Sequence, residues 1–190
     1  MSIAEQATLT LDEFLELPET KPASEFWNGQ VRQKPMPMTK HSAIQLRLSV
    51  KMDAAAECRK PRIGRVLPEL RCTFAGRSVV PDVAFVRRER LPLDPDGQLA
   101  DRFLAAPDVM VEIVSPDQSQ FELVEKVAWA VQNGVQIGWL IDPDGQEIME
   151  FAPGALPRRL PQDGALDGRE VLPGFRCSVT EVFGWLREQS

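Results

Sequence analysis

The apolar residues of this chain change their period several times, from helical spacing to short extended runs and back. Thr10 and Glu13 form a capping-box pattern ahead of Phe14, Leu15 and Leu17, and Pro18 closes the segment, so a short helix is predicted over roughly residues 10–17, packed as a lid. In EFWNGQVRQ the Asn28-Gly29 pair stands between two extended runs and tolerates the positive φ of a type I′ turn, which predicts two antiparallel strands. From His41 to about Cys58 there is neither Pro nor Gly, and Ile44, Leu48, Met52 and Ala55 recur at helical spacing. An amphipathic helix follows, with Arg47, Lys51 and Glu57 on its other face.

Beyond it the pattern becomes extended. GRVLPELRCTF, SVVPDVAFV and PDVMVEIVS are short, rich in Val, Ile and Phe, and separated by Gly, Pro or polar stretches, as strands are. The run from about Arg87 to Ala106 is the longest irregular stretch and is expected to be the most mobile. A helix is predicted from about Ser119 to Asn133 with Gly134 just past its end, and then a near-continuous apolar strand, IGWLID, expected to be central. EIMEFA, a Pro/Gly-rich loop, GREVLPGF and a final helix around Thr180 to Arg187 complete the chain.

Composition adds bounds to this picture. With 190 residues, 43% hydrophobic and 26% charged, the chain reads as one soluble domain, 1–190, with one substantial core. No leader and no membrane span is expected, which points to the cytoplasm. Cys58, Cys72 and Cys177 are scattered and read as small buried hydrophobes. The net charge of −6 disfavours a nucleic-acid partner, but between Arg47 and Arg90 eleven Lys or Arg stand against five Asp or Glu, an excess of +6, leaving −12 for the remainder. That window is either a positive face or a solvated surface with no partner.

Nucleotide-hydrolysing, dinucleotide-dependent and serine-hydrolase readings lack their glycine-rich loops and nucleophile elbow. His41 is the only histidine, which excludes a multi-histidine zinc site; at a helix start His41 itself reads as a surface or capping residue in preference to one with a role beside the site. The chemistry that stands out is carboxylate chemistry. Pro-Asp opens two apolar strands, at Pro81-Asp82 and Pro107-Asp108, and the second strand carries Glu112 inside Val109, Met110, Val111, Ile113 and Val114. A carboxylate facing a core costs several kcal/mol unless a partner or a cation compensates it. Lys126, fourteen residues on, either pairs along its helix with Glu122 or turns inward to Glu112. Glu25, before the hairpin, is as readily a solvated glutamate as a ligand.

The order of EFWNGQV, a His-Ser entry to a helix in KHSAI, PDVAFV, PDVMVEIVSP, a helix with an internal Lys, and GWLIDP resembles the Uma-two family of restriction-type endonucleases, within the PD-(D/E)xK superfamily. The resemblance runs from about Leu9 to Leu186, and Pro107 to Pro143 is its most specific part. It implies an α/β, restriction endonuclease-like fold, a mixed β-sheet core flanked by α-helices. It also implies a catalytic set in which Asp82 is the first acid, Glu112 the second, Lys126 the lysine and Glu25 an additional N-terminal acid. The lysine has moved: two positions beyond Glu112, where the superfamily motif carries it, this chain has Val114. Phe26 and Trp129 stand where Tyr is usual.

Phosphodiester cleavage has to stabilise negative charge and activate a water, which a hard cation held by oxygen ligands can do. The expectation is therefore Mg2+, with Mn2+ as a substitute, held by Asp82, Glu112 and the Ile113 carbonyl; that the substrate is DNA rather than RNA is implied by the resemblance alone. The alternatives are a catalytically silent nuclease fold that binds nucleic acid or a protein, and, less favoured because it has no use for Lys126, a two-carboxylate glycosidase. A homodimer is a further expectation, with Trp27, Val31 and Phe175 serving equally well as interface or core.

Overall fold

The Thr10 capping box forms as expected, with the Glu13 carboxylate accepting the Thr10 N–H at 2.8 Å, and starts helix α1 (Leu11–Leu15). The computed structural model describes residues 9–116 and 118–188, so the expectation of no leader within residues 1–8 falls outside the described residues. Only Phe14 of α1 is buried, stacked on Phe26 with ring centroids 5.5 Å apart. Asn28 and Gly29 take φ of 51° and 78°, the positive values of a type I′ turn, between β1 (Ser24–Trp27) and β2 (Gln30–Gln33). This hairpin is half of a four-stranded antiparallel sheet, order β2-β1-β5-β4, completed by β4 (Cys72–Phe74) and β5 (Arg77–Val79).

The larger sheet has six strands in the order β10-β9-β8-β7-β6-β3. They are β3 (Gly64–Pro68), β6 (Val83–Arg87), β7 (Val109–Ile113), β8 (Ile137–Asp142), β9 (Glu147–Phe151) and β10 (Arg158–Arg159). IGWLID is β8, flanked by β7 and β9, so its expected central place is met. All neighbours run antiparallel except β7 and β8, whose parallel pairing requires a crossover. Helix α3 (Gln120–Gln132) supplies that crossover and covers one sheet face.

Strand alternation separates two cores. Val109, Val111 and Ile113 of β7, with Ile137, Trp139 and Ile141 of β8, face helix α2 (Thr39–Glu57), which buries Ile44, Leu48, Met52 and Ala56 at helical spacing. The same core takes in β11 (Ala165–Asp167), β12 (Arg176–Ser178) and α4 (Val179–Gly184) through Leu166, Cys177, Val182 and Phe183. On the other face Met110, Leu140 and Phe151 meet Leu123, Val127, Ala130 and Val131 of α3. Each such apolar side chain contributes about 1.5–3 kcal/mol by leaving water. At Gly138, on this face, a Cβ would run into Val127, so the glycine is what lets α3 lie so close to β8.

Several expectations change. SVVPDVAFV is two strands in two sheets, because Pro81 has no N–H for a ladder and Val80 donates its own to a side chain, Glu25, at 2.6 Å. GRVLPELRCTF also splits, at Glu69, whose φ of 54° turns the chain out of β3. The stretch from Arg87 to Ala106 is pinned: it starts with a 3₁₀ turn (Arg88–Arg90), bridges Leu93 to Leu99 and Cys72 to Phe103, and buries Phe103. GREVLPGF is the turn joining β11 and β12. Trp27 and Phe175 are core, so of the three interface candidates only Val31 is exposed. Cys72 and Cys177 are buried as expected, but Cys58 is exposed. Among the described residues no helix is long and apolar enough to cross a membrane.

Candidate active site

The site begins with a register. In the β6–β7 ladder Val83 faces Val111 and Ala84 faces Met110, so one step further Asp82 falls opposite Glu112. Both side chains are almost wholly buried. Asp82 Oδ2 accepts the Ile113 N–H at 2.6 Å, locking the first acid to the strand of the second. By alternation Glu112 shares its face with Met110, the face covered by α3.

Lys126 lies on the buried stripe of α3 with Leu123, Val127, Ala130 and Val131, which settles its direction. Its Nζ stands 2.7 Å from Glu112 Oε1 and donates to Glu25 Oε1 at 2.5 Å. Glu122 takes no part in this and pairs instead with Arg32 at 3.2 Å. Glu25, on β1, also accepts the Val80 N–H at 2.6 Å, so one carboxylate ties the small sheet to α3 and to the link between β5 and β6. The four residues proposed from sequence thus converge. The other Pro-Asp does not join them: Asp108 Oδ1 pairs with Arg90 at 2.7 Å and its Oδ2 accepts the Arg87 N–H at 2.9 Å, at the opposite end of β7.

Two residues enter that sequence reasoning missed or discounted. Lys34, just after β2, places Nζ 2.5 Å from Asp82 Oδ1 and 4.0 Å from Glu112 Oε2, and donates to the Val80 carbonyl at 2.7 Å. No local pattern marks it, since a lysine before a proline after a hairpin reads as a solvated connection. His41 is not a cap, because Met38 holds the N-cap position of α2. It is buried with Nε2 3.1 Å from Asp82 Oδ2, and its place on the apolar stripe with Ile44 and Leu48 was the available signal. Gln45, one turn on, donates to the Asp82 carbonyl at 2.9 Å.

Burial and charge pull these groups in different directions. Burial pushes Asp82 up, but Lys34 and His41 outweigh it and hold its carboxyl well below the usual range. Burial dominates at Glu112 and pushes it up to about 7, against the pull of Lys126 and Lys34 and with help from Asp82 and Glu25. Burial favours neutral amines, yet Glu112 and Glu25 keep Lys126 above its ordinary value, and Asp82, Glu112 and Glu25 do the same for Lys34. Of the two acids on the β6–β7 ladder, Glu112 is therefore the one that takes a proton near neutrality. Two cavities reach the cluster from solvent. One of about 260 Å³ is lined by Glu25, Trp27, Arg32, Lys34, Gln118 and Lys126. Another of about 210 Å³ is lined by Lys34, Met36, His41, Asp82, Ser115 and Gln118.

Part of the basic window is taken up in internal contacts. Arg62 meets Asp53 and Glu57, Arg71 meets Glu19 at 2.7 Å, Arg90 meets Asp108, and Arg77 lies 3.6 Å over the Trp27 ring with a hydrogen bond to Asn28.

Residues 11–180 match the family Uma2, described as "Putative restriction endonuclease". The chain belongs to the Uma2 family. This Uma2 chain is also similar to a crystal structure described as "a putative nuclease belonging to DUF820 from Anabaena variabilis ATCC 29413", at 40% identity and a TM-score of 0.90 over 94% of this chain and 99% of that one. None of the curated proteins matches it. The six-stranded mixed sheet with its flanking helices is thus the nuclease fold, and the Uma2 resemblance read from EFWNGQV to GWLIDP holds.

Proposed function

We propose that this Uma2 protein is a metal-dependent endonuclease that hydrolyses phosphodiester bonds in DNA, with Asp82, Glu112, Lys126 and Glu25 as its catalytic set. The observation that carries the reading is that Asp82 and Glu112, buried on adjacent strands, both lie within 4.0 Å of a single ammonium, that of Lys34. Two carboxylates converge there on a position suited to positive charge.

A divalent ion fits this donor set. Glu112 turns Oε2 toward Lys34 at 4.0 Å, beyond hydrogen-bond reach, and its buried Oε1, 2.7 Å from Lys126, receives no directed hydrogen bond among the described residues, so the carboxylate retains lone pairs for a cation. Among the described residues no three His, Cys, Asp or Glu side chains gather as a metal-binding group. Two carboxylates suit an ion such as Mg2+, with Mn2+ as a substitute, that keeps several of its waters. Asp82 and Glu112 would hold it, with the Ile113 carbonyl as a third oxygen. Bound there, the ion supplies Lewis acidity to a phosphate oxygen and acidifies a water.

The chain's own residues do the rest. The Ile113 N–H and His41 restrain the Asp82 carboxylate through Oδ2, which keeps it pre-organised. Lys126, protonated between Glu112 and Glu25, orients the attacking water or steadies phosphate charge. Glu25 acts on Lys126, fixing the amine from the side opposite the strands. Cutting both strands of a duplex calls for two such sites, for which a homodimer is the simplest arrangement.

The test is nicking of supercoiled plasmid by purified protein with Mg2+ or Mn2+, with Asp82→Ala and metal-free arms, and a panel of double-stranded DNA, single-stranded DNA and RNA. Cleavage that needs metal and vanishes in Asp82→Ala is the expected result. Metal-dependent cleavage that survives the substitution belongs to a contaminant, and no cleavage by the wild type leaves a nuclease fold that only binds.

A further inference from the structure

Lys34 is a buried charge for which the proposed hydrolysis has no necessary use. Lysine ordinarily buries its stem and keeps its ammonium in water, yet the side chain of Lys34 is only 9% exposed, with Nζ against Asp82, Glu112 and the Val80 carbonyl. What the ammonium replaces is set by its neighbours.

With all three ionised, as a bound cation requires, the carboxylates Glu25, Asp82 and Glu112 carry three negative charges, and the ammoniums Lys34 and Lys126 two positive. A divalent ion added with both ammoniums in place would leave this cluster at +1, whereas an ion that displaces Lys34 brings it to zero. Uncompensated buried charge is costly, so the second arrangement is favoured. Lys126 is poorly suited to leave, because it sits within the packed stripe of α3. Lys34 is suited to leave: it belongs to the connection between β2 and α2, where Met36 and Met38 are 65% and 58% exposed. Both cavities that reach the cluster are lined by Lys34 and Pro35, so the side chain has space to either side.

We infer that Lys34 is a tethered counter-cation that holds the place between Asp82 and Glu112 and is expelled when a divalent ion binds, so that it competes with the ion and lowers the metal affinity of the site. The inference rests on the metal site proposed above and concerns its regulation.

Two readouts on metal-free protein test it. Mn2+ is titrated calorimetrically into wild type, Lys34→Met and Lys34→Arg, with Asp82→Asn as the control for the site. The Met variant, of similar length and uncharged, is expected to bind at least about tenfold more tightly, and the Arg variant no more tightly than wild type. Independently of any variant's folding, wild-type protein is pulsed with an amine-acylating reagent and mapped by mass spectrometry. Labelling of Lys34 is expected to rise several-fold at saturating Mn2+ while Lys126 stays protected. Equal or weaker binding by a folded Met variant, or flat Lys34 labelling while Asp82-dependent binding is observed, overturns the inference and leaves the metal site standing. Absence of Asp82-dependent Mn2+ binding in both wild type and the Met variant overturns both.

Discussion

The Lys126 ammonium lies 2.7 Å from Glu112 Oε1, yet the hydrogen bond it directs goes to Glu25 at 2.5 Å. Glu112 thereby gains a compensating charge without giving up its acceptor capacity, which is the condition a buried carboxylate must meet if it is also to hold a cation.

This pairing makes Lys126→Met strongly destabilising in metal-free protein, by about 3–5 kcal/mol, because two carboxylates are left buried without their partner. Adding Glu112→Gln should recover a large part of that loss. Urea unfolding of the two single variants and the double variant measures the coupling, and additive losses would show that the contact contributes nothing.

Glu112 also sets a pH dependence. Its folded value is raised from 4.5 to about 7, so as pH climbs across that window the folded protein retains a proton that the unfolded chain releases. Stability therefore falls by up to about 3 kcal/mol between pH 4.5 and 7 on account of this group. Asp82 has the opposite sign: its value is depressed, so its contribution is full above the usual carboxylate range and is lost as pH falls below it. Glu112→Gln should flatten the neutral slope alone, read from unfolding free energies at pH 5 and 8 without metal. For the same reason Mn2+ affinity should rise with pH through neutrality, since binding expels the Glu112 proton.

His41→Leu removes the donor 3.1 Å from Asp82 Oδ2 and leaves Lys34 and the Ile113 N–H in place. Cleavage or metal affinity should drop about 10- to 100-fold, the usual cost of losing a partner that orients a metal ligand. A variant with unchanged Mn2+ binding and unchanged rate would return His41 to a packing role.

Gly138→Ala introduces a Cβ into Val127, one residue after Lys126. Overpacking of this kind costs about 1–3 kcal/mol, and the displaced helix carries the amine with it. Thermal unfolding should show the loss, and cleavage should fall further than the folded fraction accounts for.

Asp108→Asn separates the two Pro-Asp dipeptides. Weakening the contacts of Asp108 with Arg90 and the Arg87 N–H should lower stability by about 1–3 kcal/mol. Cleavage per folded molecule should be unchanged, because Asp108 lies at the far end of β7; a rate loss like that of Asp82→Ala would refute this.

Sequence alone determined what depends on a few neighbouring residues. The Thr10–Glu13 cap, the Asn28-Gly29 turn, the stripe of α2 and the run IGWLID are local choices, so their physics is complete within one segment. The anomaly of Glu112 was legible for the same reason, as a charge amid five apolar neighbours. Only the tertiary structure decided whether Lys126 faced Glu122 or Glu112, where SVVPDVAFV broke between sheets, and that Lys34 and His41 belong to the site. Lys34 meets Asp82 across 48 positions and Lys126 meets Glu25 across 101. Electrostatic pairing at such separations is fixed by which surfaces pack together, and no periodicity along the chain encodes it.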